Sequence, residues 1–314
     1  MQISDRIGRR MKLHDLHVLM AVVHAGSMRK GAALLHTTQS AVSRSIADLE
    51  HTIGAKLLDR SAQGIEPTRY GHALLKRGAA AFDELKQGVR EIEFLSNPEA
   101  GELQIGSGSA FAEGFVLAVI SRLSQTFPRV SYHLMPNALT ALYSQLRERR
   151  IELAFSGDSE LDPQEDVHME VLFEEPLVVA ASAENPWVRR RRVQLADLVN
   201  ESWTWSPPGT VVDRLMVEAF RASGLEPPRA AVYTDAINVR TRLALIRGFL
   251  IVVPASMLSL PARHEWLRRV PVELPTTRRQ MGVLTLKNRT LSPLAHLFVE
   301  CARELASPLA KSAQ

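Results

Sequence analysis

Thr38-Gln39-Ser40-Ala41-Val42-Ser43-Arg44-Ser45-Ile46-Ala47-Asp48-Leu49-Glu50 is the stretch that decides how the first seventy residues fold. His36-Thr37-Thr38 reads as a short polar turn with Thr38 as an N-cap, and a helix is expected from Gln39 to about Ile53. At 3.6 residues per turn, Val42, Ile46 and Leu49 share one face. Ser40, Ser43, Arg44 and Ala47 point the other way, with Gln39 at the exposed N-terminal end. Small residues on that outer face let a backbone sink into a major groove. Gln pairs bidentately with adenine, Arg with guanine, and Ser with bases or phosphate. On this helix alone, a merely solvated Ser/Gln/Arg face stays open as the alternative.

The flanks narrow the choice. Leu13, Leu16, Leu19, Met20 and Val23 form a helical stripe. Gly26-Ser27 then breaks that helix and caps the next, in which Ala32, Ala33 and Leu35 suit close helix packing. Two helices joined by a tight turn, the second with a short polar outer face, is the helix-turn-helix arrangement. Downstream, Gly54 to Arg60, a turn at Ser61–Gly64 and Ile65-Glu66-Pro67-Thr68 read as a two-stranded wing, with Arg60 and Thr68 placed for phosphate contacts. Residues 1–70 hold ten Lys/Arg against six Asp/Glu, whereas the remainder balances at 28 each, so the whole basic excess sits at this end. A polyanion partner for the N-terminal region is the electrostatic implication.

The run Gly26-Ser27, Thr38-Gln39-Ser40-Ala41-Val42-Ser43-Arg44-Ser45-Ile46, Leu49-Glu50, Gly54, Leu57-Leu58, Arg60 and Thr68 with Gly71 resembles the winged helix-turn-helix of LysR-type transcriptional regulators. That resemblance implies base contacts from Gln39, Ser40, Ser43 and Arg44. It implies backbone contacts from Ser27, Thr37, Thr38 and Arg60. Two departures carry expectations. Gly31-Ala32 stands where two alanines are usual, which by helix propensity loosens the second helix. Gln63 stands at the wing tip in place of a frequent arginine, which shifts weight onto the third helix. Residues 1–10 precede the usual start of the family, near Met11, and are expected to be a disordered, dispensable extension; the winged domain is assigned to 11–69.

From Tyr70 to Leu95 no proline interrupts, and Leu74, Gly78, Ala81, Leu85, Val89, Ile92 and Leu95 recur at spacings of mostly three and four. A linker helix over 70–96 with one apolar seam is expected, too long to bury that seam within a seventy-residue head. A partner helix from a second copy is the simplest cover, and packing on the chain's own second domain is the alternative. The resemblance implies antiparallel linker pairs, a homodimer and a homotetramer.

Ser96-Asn97-Pro98-Glu99-Ala100-Gly101 reads as a hinge, assigned to 97–101. Beyond it, strand and helix patterns alternate in two groups, which implies an α/β effector domain over 102–310 with two open, mostly parallel sheets. Lobe I is assigned to about 102–178 and 280–310, and lobe II to about 179–279. Where two such lobes meet, strand ends form a crevice suited to a small molecule. Ser107-Gly108-Ser109, Ser156-Gly157-Asp158 and Trp205-Ser206-Pro207-Pro208 end strands there. A helix N-terminus follows near Gly209-Thr210, and Ile237 opens another helix. Free N–H groups at helix starts favour an anion. A small organic acid effector is expected, with Trp205 favouring an aromatic one; ordinary βα-loop residues remain the plainer explanation for each position. The resemblance implies a two-lobe domain like periplasmic solute-binding proteins. The segment with Trp205, Pro207-Pro208, Phe220, Gly224-Leu225 and Pro254 is similar to a subgroup regulating sugar uptake and aromatic-acid catabolism.

Composition removes other classes. One cysteine, Cys301, excludes an internal disulfide framework and Cys-based zinc fingers, and its helical context reads as a small buried hydrophobe. No signal peptide or membrane-length apolar run is legible, so a cytoplasmic protein is expected. The ten histidines show no metal-ligand spacing, Ser107-Gly108-Ser109 lacks the Gly-Lys-Ser/Thr of a phosphate loop, and no catalytic arrangement is signalled. No cofactor and no enzymatic activity are expected. Arg189–Arg192 reads as a solvated loop. The expected function is a ligand-responsive transcription regulator on double-stranded promoter DNA. The alternatives are a ligand-independent regulator, or a solute-binding protein or enzyme built on the two-lobe region.

Overall fold

A computed structural model describes residues 10–61, 64–157, 165–259 and 266–311. The chain divides into two compact units, Met1–Lys86 and Gln87–Gln314. The extension 1–9, Gln63 and Asp158 lie outside the described residues, as does the side chain of Arg60.

The first unit is built on α1 (Leu13–Ala25), α2 (Met28–Leu34) and α3 (Gln39–Ile53), followed by β1 (Leu58–Ser61) and β2 (Gly64–Pro67). Gly26 ends α1 at φ 70°, a left-handed conformation that favours glycine, and Ser27 caps α2 by accepting from the Lys30 N–H. Leu16, Leu19, Val22, Val42, Ile46, Leu49 and Leu57 form one core, each 2% exposed or less. The wing strands pair antiparallel from Leu58↔Pro67 to Ser61↔Gly64. Near its turn, the wing is tied back by the Ile65 N–H donating to the Gly26 carbonyl. Gly31 changes the expectation of a looser second helix. A Cβ there would stand 3.0 Å from both Cα and Cγ2 of Val22, so its absence lets α2 close on α1 and opposes the propensity cost.

α4 (Arg69–Ser96) crosses the division between the units. Its start is fixed by close approach: a Cβ on Gly71 would lie 2.1 Å from the Leu57 carbonyl oxygen. Leu74, Leu75 and Phe82 pack onto the core of the first unit, which therefore extends beyond the wing. Gly78 is buried there too, where a Cβ would meet Leu16 Cδ1 at 2.8 Å. This corrects the predicted seam: Leu74 and Gly78 belong to the head's own core, because the helix leans on α1 for its first four turns. Ala81 is exposed, and Leu85, Val89, Ile92 and Leu95 are 50, 55, 65 and 75% exposed.

The second unit begins with β3 (Ala100–Ser107). A turn at Ser109–Phe111 and a π-helical stretch at Ala112–Val116 lead into α5 (Leu117–Thr126). β4 (Arg129–Pro136), α6 (Leu139–Arg147), β5 (Leu153–Gly157) and β6 (Val167–Glu175) follow. The chain then crosses into the second lobe. That lobe holds β7 (Leu177–Ser182), β8 (Thr204–Trp205), α7 (Val211–Ala222), β9 (Val232–Tyr233), α8 (Ile237–Arg247), β10 (Ile251–Pro254), a short α9 (Ser256–Ser259) and β11 (Leu267–Arg269). It returns through β12 (Arg279–Leu286) and closes with α10 (Pro293–Lys311).

Strands run β4-β3-β5-β12-β6 in the larger sheet and β10-β7-β11 in the smaller, with β8-β9 as a separate pair. The larger sheet is mixed and the smaller one antiparallel, which corrects the expectation of mostly parallel sheets. β3 lies parallel to β4 and β5, but β12 is antiparallel to both neighbours, and β7 is antiparallel to β10 and β11. The reason is the crossing. β6 and β7 are separated by Pro176 alone and join different sheets, and β12, returning from the second lobe, enters between β5 and β6 antiparallel to both. The crossings fall at Pro176 and just before Arg279.

The lobes have separate cores. Phe115, Phe155, Phe173 and Phe298 anchor the first; Trp203, Trp205 and Phe220 stack edge-on or tilted in the second. Cys301 is buried in the first, and Arg189–Arg192 are exposed. Among the described residues, no helix is long and apolar enough to cross a membrane.

Candidate functional site

In the first unit, α3 presents its outer face as one surface. Thr38 caps the helix, its Oγ1 accepting from the Ala41 N–H at 3.2 Å and lying 3.0 Å from Ser40 Oγ. Thr37, Thr38, Gln39, Ser40 and Arg44 are exposed; Ser27 and Ser43 are half-buried. The inner face is held by polar pairs as well as by the core. Ser45 donates to Asp15 on α1, and Glu50 accepts from the backbone of β1. Burial pushes the Glu50 carboxyl upward, but hydrogen bonds from Lys56, Leu57 and Leu58 together hold it below its ordinary value. Thr68 departs from the expected phosphate contact. Its hydroxyl donates to the Lys56 carbonyl at 2.7 Å and accepts from the Gly71 N–H at 3.1 Å, so its single hydrogen is committed to closing the wing onto α4.

In the second unit a cavity of about 200 Å³ opens between the two sheets. Gly108, Ser109, Ser156, Ser206 and Ile237 line it. Ser107 and Trp205 do not. Ser107 is fully buried behind the loop, its hydroxyl donating to the Gly108 carbonyl. Trp205 is turned into the lobe II core, where its Nε1–H donates to Asp213 at 2.9 Å. Strand alternation explains the pair: the residue after each of them faces the cavity, so the buried one faces its own core. Trp205 thus gives no support to an aromatic ligand. The expected anion seat near Gly209-Thr210 is also filled from within. Asp213 accepts from the Gly209 N–H, and Thr210 Oγ1 accepts from the Asp213 N–H.

Four ionisable side chains line the cavity among the described residues, and sequence reasoning missed all of them: Glu175, Asp235, Arg240 and Arg279. Arg240 is 5% exposed. Its Nη2 donates to the Val252 carbonyl at 2.6 Å and Nη1 reaches Ser206 Oγ only at 3.4 Å, while Nε has no hydrogen-bond partner among the described residues. Burial pulls its guanidinium down to about 10, partly opposed by Asp235, which leaves it cationic at neutral pH. Glu175 is the last residue of β6, its carboxylate accepting from the Ser256 N–H at 2.6 Å and Ser256 Oγ at 3.0 Å. Burial pushes its carboxyl up to about 7, against those hydrogen bonds and the charge of Arg279. The Arg279 guanidinium lies over Gly157, where a Cβ would fall 1.7 Å from Nη2. One signal for Arg240 was legible: Ile237, Arg240, Thr241 and Ala244 share the buried face of α8, and an arginine on an apolar stripe needs a partner. Glu175 and Arg279 carried none, because only the pairing of distant strands sets them at the cavity.

Residues 96–307 match the family described as LysR substrate binding domain, and residues 13–72 match the bacterial regulatory helix-turn-helix protein, lysR family. The HTH-type transcriptional regulator TdcA of Escherichia coli K12 is 27% identical over 94% of each chain. The transcriptional dual regulator GltC of Bacillus subtilis is 25% identical over 95% of this chain and 99% of its own. Among solved structures, full-length CbnR complexed with target DNA superposes with a TM-score of 0.63 at 22% identity, covering 94% of this chain and 99% of that one. A full-length OxyR variant from Pseudomonas aeruginosa gives 0.67 at 17% identity, covering 93% and 95%. With one family profile spanning the two-lobe unit and another the helix-turn-helix, the chain belongs to the LysR family of DNA-binding transcriptional regulators.

Proposed function

We propose that this regulator reads promoter DNA through Gln39, Ser40, Ser43 and Arg44, with Ser27, Thr37, Thr38 and Arg60 on the phosphate backbone. Its promoter occupancy responds to a small organic carboxylate bound between the lobes. The observation that carries the ligand reading is Arg240: a buried guanidinium at the cavity wall with one short hydrogen bond and an unpartnered Nε. A buried cation so sparsely paired is costly, and a carboxylate returns the missing acceptors. Ser109 and Ser156 on the facing wall supply hydroxyls to orient it. DNA binding is supported by the exposed polar face of α3 and by CbnR, whose solved complex holds its target DNA. The exposed row Leu85, Val89, Ile92 and Leu95 supports pairing of α4 with a second copy, which gives two reading heads per dimer and leaves a tetramer as a pair of dimers.

The test is thermal denaturation of the full chain against mono- and dicarboxylates, with promoter binding followed by fluorescence anisotropy. A stabilising acid whose effect disappears in Arg240→Gln supports the reading. Stabilisation by an acid that survives Arg240→Gln unchanged overturns the assignment of Arg240.

A further inference from the structure

The two chain crossings between the lobes each deliver one ionisable side chain to the cavity. Glu175 ends the outgoing strand, Arg279 begins the returning one, and the two are register partners across β6 and β12. Among the described residues, three charged groups share the cavity with Glu175. Arg279 comes from β12, Arg240 from α8 and Asp235 from the segment before α8, while α9 contributes only the uncharged N–H and hydroxyl of Ser256. With both acids ionised, two guanidinium groups face two carboxylates and the lining is neutral. A ligand carboxylate entering that lining adds an uncompensated negative charge at low dielectric. Asp235 is exposed and keeps its hydration, whereas Glu175 is 6% exposed and cannot.

We propose that Glu175 sets the charge of the ligand: the site takes a monocarboxylate, and binding carries one proton from solvent onto Glu175. Protonation of Glu175 leaves two guanidinium groups facing two carboxylates, that of the ligand and that of Asp235. The free carboxyl already titrates near neutrality because of its burial. A second anion nearby disfavours its charged form further. Protonated Glu175 still accepts from the Ser256 N–H through its carbonyl oxygen and gains an O–H to donate to the ligand. This rests on the cavity being the ligand site, as proposed above.

The experiment is titration calorimetry of the full chain with formate, propanoate, benzoate and succinate, run in phosphate and in Tris at several pH values. The difference between buffers of unlike ionisation enthalpy reads proton uptake directly. For a monocarboxylate, uptake rising from about half a proton at pH 7 toward one at pH 8 is expected, with affinity falling by up to ~10-fold per pH unit above 7. Glu175→Gln is expected to bind with no uptake and a flat profile; the wild-type buffer comparison stands alone if that variant does not fold. Binding of a monocarboxylate with zero uptake or proton release overturns the inference and leaves the ligand site intact. Tighter binding of succinate than of propanoate without uptake also overturns it. Failure of all four acids to bind overturns the carboxylate-site reading itself.

Discussion

The carboxylate of Glu50, near the end of the reading helix, accepts the N–H of Leu57 at 2.8 Å and that of Leu58 at 3.3 Å. Its other oxygen takes Lys56 Nζ at 2.8 Å. One side chain therefore fixes the wing to α3. Removing it leaves two backbone donors beside the core without acceptors. Glu50→Ala is expected to lower the stability of the first unit by about 1–3 kcal/mol, measured by chemical denaturation.

The same group makes a signed prediction with pH. Its folded-state carboxyl lies below the ordinary value of 4.5, so its contribution is complete above that value and is lost as pH falls toward and through the folded one. Wild type and Glu50→Gln are expected to differ most near neutrality and to converge in acid. A stability gap unchanged from pH 7 to pH 3 would contradict this origin.

Arg44 is exposed on α3 and makes no intramolecular hydrogen bond or ion pair among the described residues, so truncating it costs the fold little. Arg44→Ala is expected to leave the melting temperature within about a degree. Its ratio of specific to non-specific DNA affinity should fall by the equivalent of roughly 1–3 kcal/mol. Anisotropy titrations on promoter and scrambled duplexes check it.

Gly78 and Ile92 lie on one helix and are expected to fail differently. Gly78→Val drives side-chain atoms into Leu16 and should destabilise the head by roughly 1–3 kcal/mol without changing subunit mass. Ile92→Glu, at a position 65% exposed, should leave the fold intact and weaken self-association. Sedimentation equilibrium beside denaturation separates the two outcomes.

Trp205→Phe keeps an aromatic ring but removes the pyrrole half of the indole together with the donor to Asp213. A stability loss of about 1–3 kcal/mol is expected, with carboxylate affinity unchanged. A large loss of ligand binding at full stability would return Trp205 to the cavity.

Local pattern carried the first unit almost to the residue. Thr38, the Val42–Ile46–Leu49 stripe and the Gly26-Ser27 break are short-range features, and a helix with its caps is a short-range object. The same reasoning placed the start of α8 at Ile237 and the strand ends near Ser107, Ser156 and Trp205. It misjudged strand direction, because Pro176 gives no sign of which sheet the next strand will join. It also put Leu74 and Gly78 in an intermolecular seam, since periodicity marks an apolar face without naming what covers it.

What the sequence determined by itself is the reading head, the long linker helix and a two-lobe α/β domain behind them. These follow from periodicity, capping and turn chemistry acting over a few residues. What only the tertiary structure decided is the content of the cavity. Pairing of β6 with β12 sets Glu175 opposite Arg279, a hundred residues away in the chain, and packing of α8 on β10 leaves Arg240 buried at the wall. Electrostatics at such a site depends on through-space distance and on the loss of water. Neither quantity is encoded in the spacing of residues along a chain.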